Sequence, residues 1–217
     1  MIDTKERILE SAERLFAENG YLATSLRRIM NEAGVNVASV HYYFRSKESL
    51  LEAVLLRRAE RVNRERLEML ERLELESGGR TPCVEQVIEA FLVPTLRLAA
   101  NPSTGGHQFL RLMGRLHAES DLLPGIILVQ FRPVLLRFAE ALAHALPEVP
   151  SPELYFRARL ALGATAQVFR DSSYLKWADD EGEDEFDWHP VLARLVSFLS
   201  AGFRAPAMKM VRQQEIQ

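Results

Sequence analysis

Apolar residues recur every three to four positions through most of the chain, the spacing of helices that bury one face. No stretch alternates apolar and polar residues between hairpin turns, so the pattern predicts an all-α fold. The first helix is expected from about Thr4 to Asn19, with Asp3 or Thr4 as its cap, Gly20 as its stop, and Ile8, Leu9, Ala12, Leu15 and Phe16 on one face. A short second helix follows from about Ser25 to Ala33. Its buried face is Leu26, Ile29, Met30 and Ala33, Thr24 or Ser25 caps it, and Gly34 ends it. Asn36 can cap a third helix reaching about Phe44. Ser46 then caps a long fourth one to roughly Leu75, closed by the Ser-Gly-Gly at 77–79.

Thr81-Pro82 reads as a cap with proline in the first turn, opening a helix to about Ala100 that Pro94 should kink. Residues 101–106, Asn-Pro-Ser-Thr-Gly-Gly, read as a loop. Further helices are expected at about 107–119, 124–146, 152–176 and 190–204, with no internal repeat. The architecture expected is a three-helix head over residues 1–47, a larger helical domain over 48–204, and a tail over 205–217.

Composition sharpens the class. A chain of 217 residues, 47% hydrophobic, supplies a substantial core. One cysteine, Cys83, leaves no internal disulfide and fits a reducing cytosol. The N-terminus lacks the apolar core of a signal peptide, and no apolar run approaches the ~18 residues of a membrane span, so a cytoplasmic protein without membrane contact is expected. The formal charge of −3 is not the bulk signature of a nucleic-acid binder. Distribution changes that picture, because seven acidic residues crowd into 179–187 and the remainder is mildly basic. Residues 1–50 carry seven basic and seven acidic side chains, so any grip on DNA must depend on where the charges sit.

A supporting helix followed by two short helices about a glycine turn is the layout of a head that sends its last helix into the major groove. At 100° per residue, Val37, Val40 and Phe44 fall on one face of the third helix, with Ala38, Ser39 and Tyr42 opposite. The outward side is small near its start, which permits approach to base edges, and carries an aromatic hydroxyl further along that suits phosphate. Gly20-Tyr21, Thr24-Ser25, Ala33-Gly34-Val35 and the run Tyr42-Tyr43-Phe44-Arg45-Ser46-Lys47-Glu48-Ser49-Leu50 resemble the head of the tetracycline-repressor (TetR) family over residues 5–55. The resemblance implies phosphate contacts by Thr24, Arg27, His41, Tyr42 and Lys47. It implies base readout by Val37, Ala38 and Ser39, although the angular reading also allows Val37 to be buried. Two positions depart from the family pattern: His41 stands where tyrosine is common, and Met30 where a small alanine is usual.

Two such heads must be held about one helical repeat apart, ~34 Å, so a homodimer on a palindromic operator is expected. Ala161, Ala164, Thr165 and Val168 form a small-residue stripe, and Leu192, Leu195, Val196 and Leu199 an apolar one; together they are candidates for a four-helix dimer bundle, with intramolecular core as the alternative. Phe91, Phe109, Met113, His117, Phe131, Gln167 and Arg170 are candidates to line an effector cavity, with plain core packing as the alternative for each. Arg170 either pairs an anionic headgroup or Asp171 and its acidic neighbours. Arg97-Leu98, Gly105-Gly106, the run from Phe109 to Leu112, Arg137-Phe138 and Leu160 to Gly163 resemble a subgroup containing fatty-acid-responsive repressors, which implies an apolar or acyl small-molecule effector.

No nucleophile with its base, no metal cluster and no phosphate loop stands at a workable spacing. His107 and His117, ten residues apart, would diverge by roughly 80° round a helix and make a poor chelating pair. The acidic stretch lacks the alternation of a calcium loop and reads as a solvated connection. A cofactor-free DNA-binding regulator, a repressor released by an effector, is the expected function. A helical adaptor acting through protein contacts, and a small-molecule-binding enzyme, are the alternatives.

Overall fold

Among the described residues of the computed structural model the chain forms helices and no strands: α1 (Thr4–Asn19), α2 (Leu26–Ala33), α3 (Lys47–Glu76), α4 (Val84–Ala100), α5 (Gly106–Ala118), α6 (Pro124–Ala145), α7 (Ser151–Arg170) and α8 (His189–Arg204). The described residues are 3–36, 42–101, 105–118, 124–170 and 187–206, with the backbone alone for 118 and 124–130. Residues 42–44 are also helical. Residues 171–176, the acidic stretch up to residue 186 and the tail beyond 206 lie outside this description.

Local chemistry fixes most ends where the periodicity puts them. Ser25 accepts from the Arg28 N–H at 3.2 Å and starts α2, and Ser46 accepts from the Ser49 N–H at 3.1 Å and starts α3. Gly34 closes α2 with φ of 61°, a left-handed turn that glycine takes without the Cβ penalty. The start of α4 is a correction. The helix begins at Val84 instead of Thr81-Pro82, because the Gln86 side chain accepts the Cys83 N–H at 3.0 Å and makes Cys83 the capping position.

Two apolar clusters hold the molecule together. The first joins Ile8, Leu15 and Phe16 of α1, Ile29 and Met30 of α2, Phe44, and Leu50, Leu51, Val54 and Leu55 of α3 with Phe109, Leu112 and Leu116 of α5. The second joins Val87, Leu92 and Leu96 of α4, Leu110 of α5, Val134 and Phe138 of α6, Leu154 and Phe169 of α7, and Leu195, Val196 and Leu199 of α8. Each fully buried side chain of this size contributes about 2 kcal/mol through removal from water. Helix α5 belongs to both clusters, offering Phe109, Leu112 and Leu116 to one and Leu110 to the other. It therefore ties the N-terminal helices to the rest of the chain.

That tie is close-packed. A Cβ on Gly114 would stand 2.6 Å from the Ala166 carbonyl oxygen, so α5 and α7 cross nearly backbone to backbone. Polar clamps complete the frame. Arg157 donates to the Phe203 carbonyl at 2.7 Å, joining α7 to α8, and Arg204 reaches Glu85 at 2.6 Å, joining α8 to α4. Inside α4, Pro94 has no N–H to offer the carbonyl of residue 90. One residue along, the Phe91 carbonyl accepts from Arg66 Nε of α3 at 2.8 Å. No helix among the described residues is long and apolar enough to cross a membrane.

Candidate nucleic-acid interface

The N-terminal helices form a braced unit. Arg7 of α1 donates to the carbonyls of Ala33 and Gly34, the latter at 3.1 Å, and so fixes the turn after α2 from the opposite helix. Arg14 pairs with Glu18 at 3.4 Å and with Glu32 of α2. Arg57 pairs with the buried Glu13 and with Glu6 at 2.9 Å; burial acts to lower the Arg57 pKa, and the charge and hydrogen bonds of these two carboxylates reverse that and raise it. Arg58 also pairs with Glu13, at 3.4 Å, so four of the basic side chains near this unit are engaged in holding it.

Thr24, expected to hold a phosphate, is fully buried. Its hydroxyl donates to the carbonyls of Gly20 at 2.8 Å and Leu15 at 3.2 Å, because the chain turns back under α1 at this point. The hydroxyl presented at the head of α2 is that of the exposed Ser25, which the sequence offered as an equal choice of cap. Arg27 and Arg28 of α2 are exposed, and their guanidinium groups have no partner among the described residues. Tyr42 stands 81% exposed with Tyr43 against it edge to face at 5.0 Å, while Phe44 is buried in the first cluster and anchors them. Val37, Ala38, Ser39 and His41 lie outside the described residues.

Lys47, the first residue of α3, is held in place by what surrounds it. Its Nζ sits 4.1 Å over the centre of the Tyr21 ring and 3.5 Å from the Leu22 carbonyl oxygen. The Tyr21 hydroxyl donates to Glu48 at 2.9 Å. Burial, then the Glu48 carboxylate, push the Tyr21 pKa up; the Glu48 backbone N–H, then the Tyr21 hydroxyl, pull the Glu48 pKa down. One ring therefore supports the lysine while its hydroxyl holds the adjacent carboxylate. Neither Tyr21 nor Arg7 was assigned a positioning role from sequence, since a contact across some 26 residues leaves no periodic trace.

The candidate effector residues are not gathered round one space. Phe109 is buried in the first cluster with Met113 packed against it. Phe91 packs on the second, edge to face with Phe138 at 5.1 Å and beneath the Arg66 guanidinium at 3.9 Å. Phe131 is buried, and His117 is exposed. Gln167 and Arg170 are both exposed and bonded to each other at 2.6 Å, because their side of α7 turns to solvent. None of the seven lines either of two clefts found elsewhere. One, about 360 Å³, lies where α1, α2, α3 and α5 meet and is walled by Glu13, Arg14, Arg57 and Arg58 among others; the other, about 120 Å³, lies between α3 and α4. Arg66 is a buried cation with no acidic partner among the described residues. Burial pushes its pKa down to about 9, and Asn63, Thr95 and the Phe91 carbonyl accept its hydrogen bonds.

The candidate dimer stripes also face inward. Leu195, Val196 and Leu199 are buried in the chain's own second cluster, Ala161, Ala164, Val168 and Leu192 pack against it, and Thr165 is buried with its hydroxyl on the Ala161 carbonyl at 2.8 Å. The apolar residues left outside on these helices are Tyr155, Phe156 and Leu160 of α7 and Phe198 of α8, the last 69% exposed. Phe156 and Leu160 are four apart and share a helical face, a signal the sequence carried but which the small-residue stripe displaced. Among the described residues no three His, Cys, Asp or Glu side chains stand together as a metal site.

Comparison with known proteins supplies two family matches. Residues 8–54 match the model described as "Bacterial regulatory proteins, tetR family", and residues 89–202 match "Tetracyclin repressor-like, C-terminal domain". The probable HTH-type transcriptional regulator YttP of Bacillus subtilis is 47% identical over 51 residues, which are 24% of this chain and 25% of that protein. The chain thus matches about a quarter of that curated relative's length. Among solved structures, a putative tetR family transcription regulator from Shewanella is 20% identical, with 93% of this chain and 96% of that one covered and a TM-score of 0.62. The fatty acid degradation regulator FadR from Bacillus halodurans is 16% identical, with 94% and 98% covered and a TM-score of 0.52. These structural likenesses concern the fold.

Proposed function

This chain belongs to the tetR family of bacterial regulatory proteins, and from that premise we propose that it is a repressor that binds a palindromic DNA operator as a homodimer and is released by a small, largely apolar effector. The observation that carries the DNA reading is the division of labour among the basic residues of the head. Arg7, Arg14, Arg57 and Arg58 brace it from within, while Arg27 and Arg28 stand outward beside Ser25 and Lys47 rests on Tyr21 at the start of α3. Phosphate needs cations of the second kind. Tyr42, exposed two residues before the buried Phe44, supports the reading as an aromatic hydroxyl free to meet a phosphate.

Phosphate contacts are assigned to Ser25, Arg27, His41, Tyr42 and Lys47, and base contacts to Val37, Ala38 and Ser39. The dimer face is assigned to Phe156 and Leu160 of α7 with Phe198 of α8, whose exposure in the single chain is otherwise a cost in water. The effector reading rests on the family's habit of ligand response and, for an acyl group, on the likeness in fold to a fatty acid degradation regulator. Differential affinity of that effector for the DNA-incompetent state would shift the population off the operator.

Replacing Lys47 by alanine tests the phosphate set. The variant should bind every duplex more weakly while keeping its preference among sequences, and its salt slope should fall by about 0.9 for each phosphate lost. Unchanged affinity and slope would remove Lys47 from the interface.

A further inference from the structure

Between the helical residues 42–44 and α3 the chain makes a turn through Arg45, with φ of 53°. Among the described residues it is the only one other than glycine with positive φ. A Cβ is disfavoured in this region because it crowds the following carbonyl, which is why glycine usually takes such positions.

The turn requires the conformation. Phe44 must be buried in the first cluster, and Ser46 must lie extended, at φ −142° and ψ 168°, to cap α3. The backbone has one residue in which to change direction. Glycine would meet that demand without strain, so the arginine is not there for the sake of the turn.

Nor does its side chain serve the fold of the described residues. Arg45 is exposed and makes no hydrogen bond, ion pair or ring contact with any described residue. The braced arginines Arg7, Arg14, Arg57 and Arg58 are the contrast. Arg45 instead lies three residues after the exposed Tyr42 and two before Lys47. A disfavoured backbone at a functional surface is tolerated where the side chain acts outside the chain.

We propose that Arg45 is a phosphate-binding residue of the DNA interface, its guanidinium engaging a backbone phosphate next to the one held by Lys47. This rests on the operator-binding reading above. The planar fork of arginine suits two phosphate oxygens at once. The left-handed backbone sets the direction in which the fork leaves the surface.

Arg45→Gly separates strain from contact, because the two ideas predict opposite signs for stability and binding. The probe is a duplex that the wild-type protein has itself selected from a random-sequence library, titrated at several salt concentrations beside a scrambled duplex. Arg45→Gly should melt at or about 2 °C above the wild type. It should bind both duplexes roughly tenfold more weakly at 0.1 M salt, with the salt slope smaller by about 0.9 per protomer. Arg45→Lys, which keeps charge and conformational demand, should retain most of the slope. Glycine binding with wild-type affinity and slope, or lysine failing as badly as glycine, would overturn the assignment. A wild type that selects no duplex would overturn the operator reading and this inference with it, whereas a variant equal to a wild type that binds would overturn this inference alone.

Discussion

The ring of Tyr21 supports Lys47 and its hydroxyl holds Glu48, so one residue joins the head's core to its charged surface. Tyr21→Phe keeps the ring and removes the bond. It should cost about 1 kcal/mol in urea unfolding at neutral pH, the range for a hydrogen bond to a charged partner beside solvent. After the Glu48 backbone N–H, the bond is the next cause that lowers the folded pKa of Glu48 from its ordinary 4.5. Its stabilisation is therefore fully present above 4.5 and is lost as pH falls through the depressed folded value. The difference between wild type and variant should shrink on acidification; a difference that grows toward low pH would contradict the assignment. Little of this was legible beforehand. Lys47 was recognisable by its place in a motif, but nothing in the spacing says that residue 21 lies beneath it. Thr24 and Ser25 looked equivalent as caps, and only the return of the chain under α1 decides that Thr24 is enclosed and Ser25 presented.

Helices were the most legible level, because a buried face repeats and a cap is local. The face formed by Ile29, Met30 and Ala33 and the stop at Gly34 can be read directly from the chain. Where two local signals compete the reading fails: Pro82 announces a first turn, yet Gln86 reaching back to the Cys83 N–H sets the start of α4 two residues later than the proline. Gly114 is a second failure of local reading. In the pattern of α5 it is a neutral position, but in space it is where α5 meets the backbone of α7. Gly114→Ala should push the helices apart and cost about 1 to 3 kcal/mol by thermal unfolding, as overpacking does. Because α5 enters both apolar clusters, the strain should reach the head as well. A variant as stable as the wild type would show that the crossing has slack.

For the molecule as a whole, periodicity identified which residues share a face but not what covers it. Helix α8 offers two apolar faces, and the stronger one, Leu195, Val196 and Leu199, is consumed by the chain's own core. The weaker one, with Phe198, is left outside beside Phe156 and Leu160 of α7. The candidate effector residues are dispersed for a related reason: apolar and aromatic residues on α4, α5 and α7 read alike whether they face one cavity or two separate cores. If the outer face is the dimer contact, Phe198→Arg should sediment as a monomer, keep its helical content and bind operator far more weakly. A variant that remains dimeric would move the interface elsewhere. Whether the protein recognises a specific DNA sequence is decided by fluorescence anisotropy: the purified protein titrated with a duplex from its own upstream region or from a selected library, at two salt concentrations, against scrambled competitor. Saturable binding that survives the competitor and weakens steeply with salt is the predicted result. Equal affinity for selected and scrambled DNA, or none for either, would contradict the account.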